Sequence, residues 1–223
     1  MSLPSLKHPL LSERGIDHGL AVFGVLPFPG AACPEQVHGV DVALCNTQGE
    51  LRPSQADAVM CDEPGVHVGI VTADCVPVLA ARNEGKSVVA IHAGWRGLAS
   101  GVVERGVGAL LDGASLDEDR VAVIGPHIGA CCYEVDAPVI EALSQRYSHG
   151  VEGSTRPSRP GHFWLDLGKL VTEVLEASGF QSTQIGRFPD SCTFCCAQKY
   201  PSFRREGSRA GRMLHHISAC DLA

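Results

Sequence analysis

Val66-His-Val-Gly-Ile-Val-Thr72, Val76-Pro-Val-Leu-Ala-Ala81 and Lys86-Ser-Val-Val-Ala-Ile-His92 decide the fold. All three runs are apolar and rich in β-branched residues, and turn sequences bound them, so they read as successive strands. Glu63-Pro-Gly65 precedes the first run and Asn83-Glu-Gly85 separates the last two; both are tight-turn sequences. Ala56 to Met60 reads as a further strand of the same sheet. Interruptions by Asp, His and Gly keep these runs short of the about 20 apolar residues of a membrane span. They form a sheet core, and no transmembrane helix is expected.

On the N-terminal side, Gly19 to Val25 and Val40 to Leu44 have the same strand character. On the C-terminal side, Leu98, Val102, Val103, Val107, Leu110 and Leu111 recur at helical spacing, and Gly113 supplies a stop. Arg120 to Ile124 reads as a strand, and Pro138 to Tyr147 as a helix begun by Asp136. Ser148 to His162 is polar and rich in Gly, Pro and Ser, which predicts a surface loop. Leu165 to Ser178 is helical in pattern and ends near Gly179, Gln184 to Phe188 is strand-like, and His215-His216 lies in a terminal strand. Strands and helices alternate throughout. The expectation is an α/β fold, one domain over residues 1–223, with mixed β-sheets flanked by helices.

Composition narrows the function. The chain has 223 residues, 44% of them hydrophobic and 19% charged, enough for one sizeable core. A formal net charge of −7 offers no general attraction to phosphate backbones, so nucleic acid is not an expected partner. The first residues lack the basic segment and apolar stretch of a secretory signal, and a cytoplasmic location is expected. Ten cysteines in such a chain are then expected to be reduced thiols, most of them small buried hydrophobes. Arg204, Arg205, Arg209 and Arg212 make a local basic cluster suited to one small anion.

Three segments combine metal-ligating residues with sharp turns: Gln36-Val-His-Gly39, Thr72-Ala-Asp-Cys-Val-Pro77 and His92-Ala-Gly-Trp-Arg-Gly97. Each is expected to put a ligand at a strand end. Two imidazoles and a thiolate suit zinc, and three protein ligands leave a fourth position for water or substrate. By spacing alone, the same residues also fit two turn histidines and a core cysteine.

Read together, these segments closely resemble the YfiH-like family, whose members are also described as multicopper polyphenol oxidases, laccase-domain proteins and purine nucleoside phosphorylases. The resemblance continues through Gly125-Pro-His-Ile-Gly-Ala-Cys-Cys-Tyr-Glu-Val135, Cys192-Thr193, Ser202-Phe-Arg-Arg205 and Gly211-Arg212. It implies a YfiH-like fold and a metal held by His38, Cys75 and His92, with zinc as occupant and copper as the alternative. The implied activity is phosphorolysis of adenosine, inosine or methylthioadenosine, with phosphate as co-substrate and adenosine deamination as a related reaction. Between His18 and Gln36 the family's Thr-Arg-x-Gly-Gly-x-Ser stretch is not recognisable, so residues 1 to about 34 read as a shortened, atypical N-terminal segment.

Roles follow from residue chemistry. Asp74 and Glu134 are the carboxylates expected to move protons, each with a purely structural alternative. Arg96 is expected to act in catalysis by holding phosphate, and Arg204, Arg205 and Arg212 to bind substrate, because guanidinium forks match phosphate oxygens; Gln36 is also expected to bind substrate. Trp95 is placed to stack on a base or to wall the core. His127 reads as a satisfied turn histidine, and Cys131 and Cys132 as packing. Cys192 and Cys195 have zinc-like Cys-x-x-Cys spacing, but no matching second pair is evident. Competing readings are a copper-dependent phenol oxidase, a hydrolase that edits peptidoglycan precursors, and a zinc-stabilised module without catalysis. A copper cluster needs several His-x-His groups, and the chain has a single adjacent pair, His215-His216. Small-molecule nucleoside and phosphate are the expected partners; no membrane is.

Overall fold

A computed structural model describes residues 5–23, 30–115, 119–189 and 191–220. Its centre is a seven-stranded mixed sheet. The elements, numbered in chain order, include β2 (Val42–Cys45), β3 (Leu51–Arg52), β4 (Ala58–Cys61), β6 (Val76–Arg82), β7 (Ser87–Ala93), β8 (Arg120–Ile124) and β12 (Ile185–Arg187), arranged β12-β8-β6-β7-β4-β2-β3. The β12–β8 and β2–β4 pairs are parallel and the others antiparallel.

Alternation along the central strands sorts side chains into two cores. Val76, Val78 and Ala80 of β6, with Val89 and Ile91 of β7, face the helices α3 (Val102–Leu111) and α5 (Leu167–Ala177). Leu79, Ala81, Val88 and Ala90 face the opposite way. There they meet a second sheet, of order β1-β13-β5, made by β1 (His18–Phe23), β5 (His67–Thr72) and β13 (Met213–Ser218). Covered on both faces, these strands are continuous apolar runs, and each fully buried Val or Leu contributes about 1.5–3 kcal/mol. The mixed-sheet α/β expectation is met. No helix among the described residues is long and apolar enough to cross a membrane. The strand expected over 19–25 is β1 up to Phe23, and Gly24 and Val25 lie outside the described residues.

Two expectations need correction. The helix predicted over 98–111 is two helices, α2 (Trp95–Ser100) and α3, broken at Gly101. Gly101 has φ of 96°, and a β-carbon there would sit 2.9 Å from the Arg146 guanidinium carbon. Only glycine meets both demands.

The loop predicted over 148–162 is largely ordered structure. Helix α4 (Ala137–Ser154) continues past a break at Tyr147, burying Val151, and two strands follow, β10 (Thr155–Pro157) and β11 (His162–Leu165). They pair with β9 (Glu134–Asp136) in the order β10-β11-β9. The polar composition is shared between the end of α4 and the turn of this hairpin, which is closed by Ser158 N–H to His162 O at 3.0 Å and His162 N–H to Arg159 O at 2.8 Å. Arg156 stacks over the Trp164 ring. The remaining helices, α1 (Pro9–Ser12) and α6 (Phe203–Glu206), are single turns.

Candidate metal centre and active-site cleft

Cys75 lies in the turn where the chain leaves β5 in the small sheet and enters β6 in the large one, just after Asp74 at φ of 91°. His92 sits near the end of neighbouring β7, opposite Pro77. Both are at strand ends, as expected. His38 is instead in the loop ahead of β2, in the left-handed region at φ of 59°. The three donor atoms lie within 4.8 Å of one another, and the two imidazole centroids are 4.8 Å apart.

Gly94 makes room for the group. A β-carbon there would stand 2.8 Å from His38 Nδ1 and 3.0 Å from Cys75 Sγ, filling the space the donors surround. Two imidazoles and a thiol around such a cradle fit a zinc-type ion.

Nothing in the motif pattern marks Asp57, yet it organises the centre. Its fully buried carboxylate accepts hydrogen bonds from the N–H groups of Val37 (3.1 Å), His38 (2.9 Å) and Gly39 (2.6 Å). It also pairs with His92 Nδ1 at 2.8 Å, which leaves His92 Nε2 for the metal. Burial raises the carboxyl pKa of Asp57, but these donors outweigh it and hold the group below its ordinary value. At His92, burial lowers the pKa, while hydrogen bonds to Asp57 and Cys75 overcome it and raise it to about 9. A metal on Nε2 would take the place of that proton. Burial, then the charge of His92, pushes the His38 pKa below its ordinary value, toward the neutral form that ligates.

The three donors line a cleft of about 960 Å³. Arg96, Arg204 and Arg212 line it with the aromatic rings of Trp95, Tyr133 and Phe203. Arg96 stacks on Trp95 at 4.4 Å, and Arg204 lies over the Tyr133 ring at 5.2 Å. Burial, reinforced by Cys75, pushes the Tyr133 phenol above its usual range, so it stays a neutral donor.

Residues 20–220 match the family model described as multi-copper polyphenol oxidoreductase laccase. The chain belongs to this family. Its YfiH-like relatives include the purine nucleoside phosphorylase of Pseudomonas aeruginosa, 37% identical over 80% of this chain and 69% of that one. A Xylella fastidiosa protein of the same name is 36% identical over 92% of this chain and 77% of that one. Among solved structures, the hypothetical protein YfiH of Bacillus licheniformis superposes with a TM-score of 0.77 at 27% identity, covering 87% of this chain and 76% of that one. YlmD of Geobacillus stearothermophilus gives 0.75 at 30%, covering 86% and 74%.

In this YfiH-like chain, not every expected side chain reaches the cleft. Gln36 lines it, but both ends of its amide are occupied by the Val71 backbone, at 2.8 and 2.7 Å, clamping the His38 loop to β5. Asp74 accepts from Thr193 Oγ1 (2.6 Å), Ser202 Oγ (3.0 Å) and Arg204 N–H (2.7 Å), so both carboxylate oxygens are engaged. Its geometry is that of a positioning group for the Arg204 segment.

Glu134 is outside the cleft, because β9 turns its carboxylate toward Ser158 (2.5 Å) and Arg159 (3.1 Å) of the hairpin. Arg205 is also outside; its guanidinium holds the carbonyls of Thr193, Phe194 and Tyr200 at 2.7–2.8 Å. His127 is a satisfied turn histidine, with Nδ1 2.8 Å from Gly125 O. His215 is buried, bonded to Ala21 N–H and Thr72 Oγ1, so both of its ring nitrogens are engaged.

Proposed function

We propose that this chain is a zinc-dependent purine nucleoside phosphorylase, cleaving adenosine, inosine or methylthioadenosine with phosphate. One observation carries the reading: the three candidate metal donors converge in the lining of a cleft that also collects three arginines and three aromatic rings. The name shared by the relatives supports it. His38, Cys75 and His92 hold the zinc, which when bound supplies a Lewis acid at its fourth position.

The chain's own residues account for the rest. In phosphorolysis a phosphate oxygen bonds to the anomeric carbon as the bond to the base breaks, and the base leaves with the electron pair. Arg96, Arg204 and Arg212 hold the anion against its own repulsion by planar, charge-assisted hydrogen bonds. Arg204 is oriented for this by donating from Nη1 to Glu134 O at 2.8 Å. The aromatic walls offer faces to the purine, and the neutral Tyr133 hydroxyl offers a hydrogen bond to a departing base that gains negative charge.

Adenosine incubated with and without phosphate tests the reading. Ribose 1-phosphate formed only with phosphate is the expected product. Inosine formed without phosphate marks deamination in the same cleft, and oxidation of phenols without any ribose 1-phosphate overturns the proposal. Equal turnover by wild type and a folded His38→Ala variant also overturns it.

A further inference from the structure

On the far side of Tyr133 the fold assembles four thiols that the cleft does not use. Cys131 and Cys132 lie in a tight turn closed by Cys132 N–H and Tyr133 N–H on Gly129 O, at 2.9 and 3.0 Å. That turn brings the side chains of adjacent residues to one side. Cys192 and Cys195 come from more than 60 residues later. A parallel bridge between His127 and Cys192, with Thr193 N–H on His127 O at 3.0 Å, joins the two segments.

The Cys-x-x-Cys that lacked a partner pair in the sequence thus has one in space. All four sulfurs lie within 4.8 Å of one another, with Cys195 Sγ 3.5 Å from Cys131 Sγ and 3.1 Å from Cys132 Sγ. We propose that Cys131, Cys132, Cys192 and Cys195 form a second metal site, a structural four-thiolate zinc centre separate from the His38, Cys75 and His92 donors.

The geometry favours one ion over a sulfur pair. Four sulfurs around zinc at about 2.3 Å stand about 3.8 Å apart, close to the spacing here. A disulfide uses two sulfurs, whereas Cys195 approaches Cys131 and Cys132 together. Gly129 N–H also points to Cys192 Sγ at 3.3 Å, a hydrogen bond suited to a thiolate ligand. Each thiol gives up its proton to solvent as it binds. With no open coordination position, the ion is structural. It staples the turn that ends in Tyr133 to the segment whose Thr193, Ser202 and Arg204 hold Asp74.

Metal analysis of the full chain, purified with zinc, tests this apart from purine chemistry. About two zinc ions per chain are expected in wild type, and about one in either Cys75→Ser or a Cys192→Ser/Cys195→Ser variant. Cobalt-loaded Cys75→Ser has lost the only sulfur of the catalytic donors, so it retains a thiolate-to-cobalt charge-transfer band only if the four-thiol site exists. Absence of that band overturns the proposal, as does unchanged zinc content in the double variant. Should the double variant not fold, wild type still decides. Zinc is expected to slow alkylation of exposed Cys131 and Cys195 at least about tenfold relative to chelator-treated protein. Equal rates with and without zinc, or an intact mass two hydrogens lower from a disulfide, overturn it. A chain inactive on nucleosides that keeps the cobalt band leaves this site standing.

Discussion

The two sides of the cleft are each organised by one buried aspartate, and the comparison separates two jobs done by the same chemistry. Asp57 gathers three backbone N–H groups and the His92 imidazole, so it fixes where two metal donors stand. Asp74 gathers two hydroxyls and one N–H from residues 193–204, so it fixes the wall that carries Arg204. Every carboxylate oxygen of the pair accepts at least one hydrogen bond from the protein. Under the proposed function these carboxylates would hold other groups in place, on the metal side through Asp57 and on the anion side through Asp74.

The largest effect expected from breaking this pairing is at Asp57. Asp57→Ala leaves a buried imidazole and three N–H groups without their acceptor, and a loss of about 3–5 kcal/mol is expected, with loss of bound zinc. Urea unfolding and zinc titration measure both; unaltered zinc affinity would remove Asp57 from the centre. Gly94→Ala, which puts a methyl between His38 and Cys75, is expected to weaken zinc binding about 10–100-fold with little change in the metal-free chain. Competition against a chromophoric chelator reads it.

Asp74→Asn is the contrasting lesion. It is expected to cost about 1–3 kcal/mol while zinc content stays at the wild-type level and the KM for phosphate rises. If zinc is lost along with phosphate affinity, the division between the two aspartates fails.

The last effect is on the pH dependence of folding, and it is read per pH unit. Burial depresses the His215 pKa to about 3 in the folded chain, against an ordinary 6.5. Below 6.5 the unfolded chain binds a proton that the folded chain does not, so this stability is complete above that pH and is lost as pH falls toward about 3. A slope of about 1.4 kcal/mol per pH unit from this residue is expected in denaturation series across that window. A His215→Gln variant whose stability falls just as steeply would contradict the assignment.

The legible parts of this molecule are those where local pattern and tertiary role coincide. β6, β7 and β8 stand out because strands covered on both faces are uninterrupted apolar runs between turn residues. His38, Cys75 and His92 stand out because each lies in a short motif of ligand and turn residues. Asp57 does not, since its partners lie 18 to 35 residues away and its only local sign is a charge inside the apolar run Ala56 to Met60. The hairpin of β10 and β11 was hidden by its polar turn, and the break at Gly101 by a helical period that continues on both sides of it. Adjacent Cys131 and Cys132 gain a common neighbour in Cys195 only through the bridge at His127.

The crossing at Cys75 has a thermodynamic consequence. Cys75 stands between the two sheets, His92 belongs to the large sheet, and Gln36 ties the His38 loop to the small one. An ion gripped by all three would be a further cross-link between two layers that pack through apolar side chains and are already tied by the Gln36 bonds to Val71. Under the proposed zinc occupancy, binding and folding would be linked equilibria: free zinc at about a thousand times its dissociation constant would add about 4 kcal/mol to the folded state. The concentration of available metal would then set how firmly the two sheets are held together.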